Sequence, residues 1–111
     1  MTTTFVPTYS ILGIKDKNRA SGQHFFDAGT MRFFSSRVLC EVFQGAGGVF
    51  FVTSEKRRGF STPDGARLYT VRQFMPDSGA IDTPDAGGGF QAFRSASGAR
   101  GRARKLAGAA S

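Results

Sequence analysis

Five basic side chains, Arg94, Arg100, Arg102, Arg104 and Lys105, fall within residues 86–111, a stretch with no Asp or Glu. The chemistry available there is ionic. Eleven of the fifteen basic residues are Arg, whose planar guanidinium meets phosphate oxygens with two parallel donors. Residues 1–85 carry ten Lys/Arg against eight Asp/Glu, so most of the net charge of +7 sits at the C-terminal end. A block of one sign is either a solvated, solubilising end or a grip for a polyanion. Arginines spaced by Ala and Gly suit phosphate contact without sequence reading. Arg57 and Arg58, in the charged, Gly- and Pro-bearing loop "EKRRGFSTPDGA", are expected to assist.

Other chemistries lack their residues. A metal site needs several converging His, Cys or carboxylate ligands. The chain has one His and one Cys, His24 and Cys40, without paired spacing. Cys40 alternates with Val38 and Val42, which predicts a buried, inert thiol rather than a nucleophile. "GAGG" and "GGG" lack the spacing and the Lys-Ser/Thr ending of a phosphate-binding loop. Asp77, Asp82 and Asp85 stand near turns, where Asp is a common turn former. The sequence thus predicts no catalytic residues, no metal, no cofactor and no enzyme.

The stretch "HFFDAGTMRFFSSRV", residues 24–38, holds four of the twelve phenylalanines beside Arg32 and Arg37. Such a stretch is a core, a patch for a partner protein, or a platform on which bases stack. In extended chain, Phe33 and Phe34 point to opposite faces, as do Phe50 and Phe51. A sheet with one covered face would bury only one ring of each pair. Burying a ring stabilises by roughly 1.5–3 kcal/mol, against about 1–2 kcal/mol per residue of backbone ordering. With no Trp and two Tyr in the chain, most of these rings belong inside. Phe34 is expected in the core, His24 to be a hydrogen-bonded structural residue, and Arg32 and Arg37 to be exposed charges.

The elements that must position these groups follow from periodicity. A chain of 111 residues makes one domain. Ser10 is placed to cap a helix through about Ala20, with Ile11, Ile14 and Asn18 on one face and Gly22 at its end. Asp27 is placed to cap a turn over Ala28–Met31. From Phe33 the period becomes two: "FFSSRVLCEVF", the turn "QGAGG" and "VFFVTS" read as a hairpin. "RLYTVRQFM" is a third strand, "PDSG" a turn, "AIDT" a short fourth strand and "FQAF" a possible edge. Ser95 or Ser97 then caps a helix to about Ala107, with Ala99, Ala103 and Leu106 as its apolar stripe. Gly98 and Gly101 each cost that helix on the order of 1 kcal/mol, so it needs docking or a ligand. The expected architecture is α+β: a small antiparallel sheet of three to five strands, a short N-terminal helix and a basic C-terminal helix. Residues 1–94 form the compact core with an extended lead-in, and 95–111 the basic helix and tail of the same domain.

The run 24–38, followed by "GGVFFVTSE", "RLYTVRQFMPDSGAIDT" and "FQAFRSASGARGRARKLA", resembles a family of small, mostly uncharacterised proteins of bacteriophages, plasmids and integrated mobile elements. The resemblance spans roughly residues 14–106. It implies a setting, a bacterial cytoplasm and a mobile element, and brings no catalytic or cofactor residues. The N-terminus lacks the order of a signal peptide, and no apolar run approaches the roughly 18–20 residues of a membrane span; a cytoplasmic protein without membrane contact is expected. The function expected is that of a non-enzymatic accessory protein, binding nucleic acid weakly and without sequence preference. The alternative is an interaction protein that docks on a host protein, as a defence or replication inhibitor, through an aromatic sheet surface.

Overall fold

The computed structural model describes residues 9–27, 37–56, 67–84, 88–89 and 92–108. Helix α1 (Ile11–Ala20) and a 3-10 turn (Phe25–Asp27) precede four strands, β1 (Arg37–Gly45), β2 (Gly48–Lys56), β3 (Arg67–Phe74) and β4 (Ile81–Asp82). Helix α2 (Ala96–Gly108) follows. The strands form one antiparallel sheet in the order β1-β2-β3-β4. Each strand lies beside its neighbour in sequence, as short turns favour. The architecture is α+β, as expected. Phe93 adds an isolated bridge to Tyr69, with hydrogen bonds of 2.8 and 3.1 Å in the two directions. That bridge is all the described part of "FQAF" contributes to the sheet.

Alternation on β2 and β3 sends side chains to two different layers. Phe50, Val52 and Val71 pack with Ala99, Ala103 and Ala107 of α2. Val49, Phe51 and Phe74 pack with Ile14 of α1, flanked by Tyr9, Phe26, Val38, Val42 and Ile81. Phe50 is 4% exposed and Phe51 0%. Both rings of the adjacent pair are therefore core, because a helix covers each face of the sheet.

The expected caps are present. Ser10 Oγ accepts from the Gly13 N–H (3.1 Å), and Ser95 Oγ from the Gly98 N–H (3.1 Å). Gly22 closes α1 at φ +83, and its N–H donates to the Arg19 carbonyl. Asn18, fully buried, pins α1 to the rest of the domain. Its amide donates to the Gly79 carbonyl (2.8 Å) and its Oδ1 accepts from the Phe25 N–H (2.8 Å).

Strand β1 departs from the simple alternation. Val38 pairs with Thr53 and Val42 with Phe51, so Leu39, Cys40 and Glu41 stand opposite the single residue Val52. Extra residues in one strand of a pair push outward as a bulge. Val38 and Val42 keep their places on the α1 side, and Leu39 and Phe43 theirs on the α2 side. Cys40 is exposed. The expectation of a buried thiol between Val38 and Val42 is thus corrected: the bulge lifts out the residue between them. Arg37 is exposed, as expected. Phe33, Phe34, Arg32 and the turn placed over Ala28–Met31 lie outside the described residues, as do Arg57 and Arg58. His24 is exposed at φ +51, just before the 3-10 turn.

Candidate nucleic-acid interface

Helix α2 begins where Ser95 caps it and runs across the sheet on an alanine stripe. Ala99 and Ala103 are 0% exposed and Ala107 4%. Alanine has the highest intrinsic helix propensity and no side-chain entropy to lose, and its single methyl lets the helix backbone lie close to the strands. The β1–β2 turn completes the dock. The Gly47 N–H donates to the Ala107 carbonyl (2.9 Å), and a Cβ at Gly45 would collide with that same carbonyl oxygen. The glycines of "QGAGG" therefore serve the close approach of the helix end as well as the turn.

With the alanines inward, the spacing of 3.6 residues per turn sends the basic residues off the flanks and outer surface of α2. Arg100 and Arg104 lean toward β1. Arg100 Nε lies 2.6 Å from Glu41 Oε1, an ion pair without the alignment of a hydrogen bond. The two side chains are 38% and 44% exposed, so water screens the pair and it adds little stability. The Arg104 guanidinium sits over the Phe43 ring, 5.3 Å from its centroid, within the range of a cation–π contact. Arg102 and Lys105 leave on the other flank and are exposed. Arg94, exposed at the bend before the helix, adds a fifth charge near its N-terminus. No acid stands in the first turn of α2.

Four of the seven residues expected at the site thus share one docked helix, and Arg94 adjoins it. They are not equivalent, because two of them engage β1. Glu41 and Phe43 were invisible as site residues from sequence. They are distant in the chain, and only the β1 bulge and the packing of α2 bring them to the basic helix.

The opposite face of the sheet holds a second polar cluster, also unanticipated. It lies within "VTSE" of β2 and "YTVR" of β3. Glu55 is 0% exposed and Arg72 6%, with Arg72 Nη2 3.7 Å from Glu55 Oε2. Thr70 Oγ1 donates to Glu55 Oε1 (2.7 Å), Arg72 Nε donates to Thr53 Oγ1 (3.0 Å), and Arg72 Nη1 donates to Thr83 Oγ1. Phe25 stacks 5.2 Å from the Arg72 guanidinium. Burial pushes the Arg72 pKa below its ordinary value, and the Glu55 charge opposes that shift. The polar positions of these strands were a signal available in the sequence, since Thr, Glu and Arg alternate there on otherwise apolar strands.

A groove of about 290 Å³ runs along Val49, Phe74, Met75 and Pro76, rimmed by Gln73, Asp77 and Ser78. Among the described residues, no three His, Cys, Asp or Glu side chains gather in metal-binding range. None of the described helices is long and apolar enough to cross a membrane.

A family model described as a family of unknown function (DUF7447) matches residues 10–104. That covers α1, all four strands and α2 as far as Arg104, and the chain belongs to this family. No curated protein and no solved structure matches the chain.

Proposed function

We propose that this member of DUF7447 binds nucleic acid through the outer surface of α2, gripping phosphates with Arg94, Arg100, Arg102, Arg104 and Lys105. The carrying observation is the alanine dock. Because Ala99, Ala103 and Ala107 are buried against the sheet, the helix is a rigid support with its charges turned outward. Apart from Leu106, its remaining side chains are small, and the helix holds no Asn or Gln to pair with adenine edges. Contact is therefore mainly ionic, and binding is weak and sequence-tolerant, with Kd of about 1–100 µM at physiological salt. The role is that of a non-enzymatic binding protein, and the mobile-element setting implied by the motif order belongs to the same reading.

The alternative, docking on a host protein through aromatic side chains of the sheet, draws no support from the described strands. Phe50, Phe51 and Phe74 are buried, and the half-buried Phe43 and Tyr69 pack against the α2-side core.

The test is a fluorescence-anisotropy titration of a labelled duplex at several salt concentrations. Four or five phosphate contacts give a log–log slope of roughly −4 to −5. A chain that fails to bind even at low salt, or binds with a slope near zero, refutes the reading.

A further inference from the structure

Residues 86–111 contain no acid, yet one carboxylate reaches the basic helix from elsewhere in the chain. Glu41 stands in the β1 bulge, opposite Val52 together with Leu39 and Cys40, and pairs with Arg100 of α2. Without the two extra residues of the bulge, β1 would meet β2 in a different register. The irregularity that exposes Cys40 thus also sets where Glu41 stands. Both partners keep a third or more of their side-chain surface in water. Arg100 Nε is itself buried beside Glu41 Oε1, 2.6 Å away but unaligned for a hydrogen bond, so in the free protein the carboxylate covers that donor without satisfying it. A phosphate offers the guanidinium the same charge with better bidentate geometry.

We infer that Glu41 is an internal competitor for the phosphates at Arg100: it occupies the guanidinium in the free protein and gives it up when a nucleic-acid strand lies along α2. This rests on the nucleic-acid reading of α2 and adds a control to it. Arg102 and Lys105, exposed on the far flank, make first contact. Arg100 joins only where the ligand supplies a phosphate that outbids Glu41, so the carboxylate weakens binding and favours ligands with several adjacent phosphates over isolated anions.

The experiment is a double-mutant cycle, read as affinity for a short fluorescein-labelled duplex at low salt. Its variants are Glu41→Gln, Arg100→Gln and the two combined. Thermal melts check that each is folded, which substitution at exposed positions permits. Glu41→Gln is expected to tighten binding about two- to fivefold, the range set by an exposed ion pair. Arg100→Gln should weaken the Glu41→Gln protein clearly more than it weakens the wild type. Unchanged affinity in Glu41→Gln overturns the inference while wild-type binding leaves the nucleic-acid reading intact. A gain that survives in the double variant also overturns it, because Glu41 would then act as a general repulsive charge and not through Arg100. Absence of binding by the wild type and Glu41→Gln alike brings down both the reading and the inference.

Discussion

On the α1 side of the sheet, Phe51, Phe74 and Ile14 fill the space with large side chains, and next to them Glu55 and Arg72 are buried within a ring of threonines. On the α2 side, three alanines lie against Phe50, Val52 and Val71. The difference is one of distance. Large rings hold a helix away from the strands and bury much area per residue. Alanines let a helix settle close, and they leave the long basic side chains to spread from its flanks, with stems on the protein and heads in water. Both faces are core: the first holds large rings and a buried ion pair beneath α1, and the second carries α2 as a flat basic support. Substitutions of buried sheet residues should be severe on either face, and substitutions on the outer surface of α2 mild.

The largest expected loss is on the α1 side. Phe51→Ala should cost about 3–5 kcal/mol through lost transfer energy and a cavity, a large share of the roughly 5–15 kcal/mol of a domain. Thermal or denaturant melts measure it. Phe50→Ala should also be costly, because its face is covered too; a mild effect would mean that α2 docks only loosely.

Breaking the buried pair comes close behind. Arg72→Met leaves the Glu55 carboxylate buried without its cation, at about 3–5 kcal/mol. Replacing both, as Glu55→Leu with Arg72→Met, should recover much of that loss, since a buried ion pair is often no better than apolar packing. Failure to recover would mean that the threonines depend on the charged pair for their own partners.

A smaller loss is expected where α2 meets the hairpin. Gly45→Ala places a methyl against the Ala107 carbonyl, and the helix end must move. Overpacking of this kind costs about 1–3 kcal/mol. It should also weaken duplex binding modestly by tilting the basic helix, so both melts and anisotropy report on it.

How far these features could be read from the chain depended on whether they were local. The cap at Ser10, a cap at Ser95 or Ser97, the four strands and the stripe through Ala99 and Ala103 were legible because each rests on residues a few positions apart; the stripe ends on buried Ala107, with Leu106 only partly buried beside it. Strict alternation holds along β3, where Val71 and Tyr69 join the α2-side layer and Phe74 the α1-side layer. The fate of Cys40 was not legible. Its neighbours Val38 and Val42 do lie on one side, but the pairing of β1 with β2 skips two residues, and nothing in "VLCEV" marks a bulge in the way Gly or Pro would. The Glu55–Arg72 pair needed the register between β2 and β3, which sets Thr53 across from Thr70 and Phe51 across from Arg72. The five C-terminal charges were found from composition alone, but their division between the β1 flank and the open flank required the docked helix.

The smallest effect on folding is expected on the outer face of α2. Arg102→Ala with Lys105→Ala should change stability by no more than about 0.5 kcal/mol per site. The same variant should flatten the salt slope of duplex binding by roughly 2, one for each contact removed. A large fall in melting temperature would mean that these side chains hold the fold.

The division between the two faces is tested most directly by amide chemical shifts recorded while a short duplex is added at low salt. Shifts are expected at residues 94–108 and at Glu41 and Phe43 of β1, while the amides of α1 and those around Phe51 and Arg72 stay in place. Shifts centred on α1, or spread evenly over both faces, would contradict an account in which α2 is the binding surface.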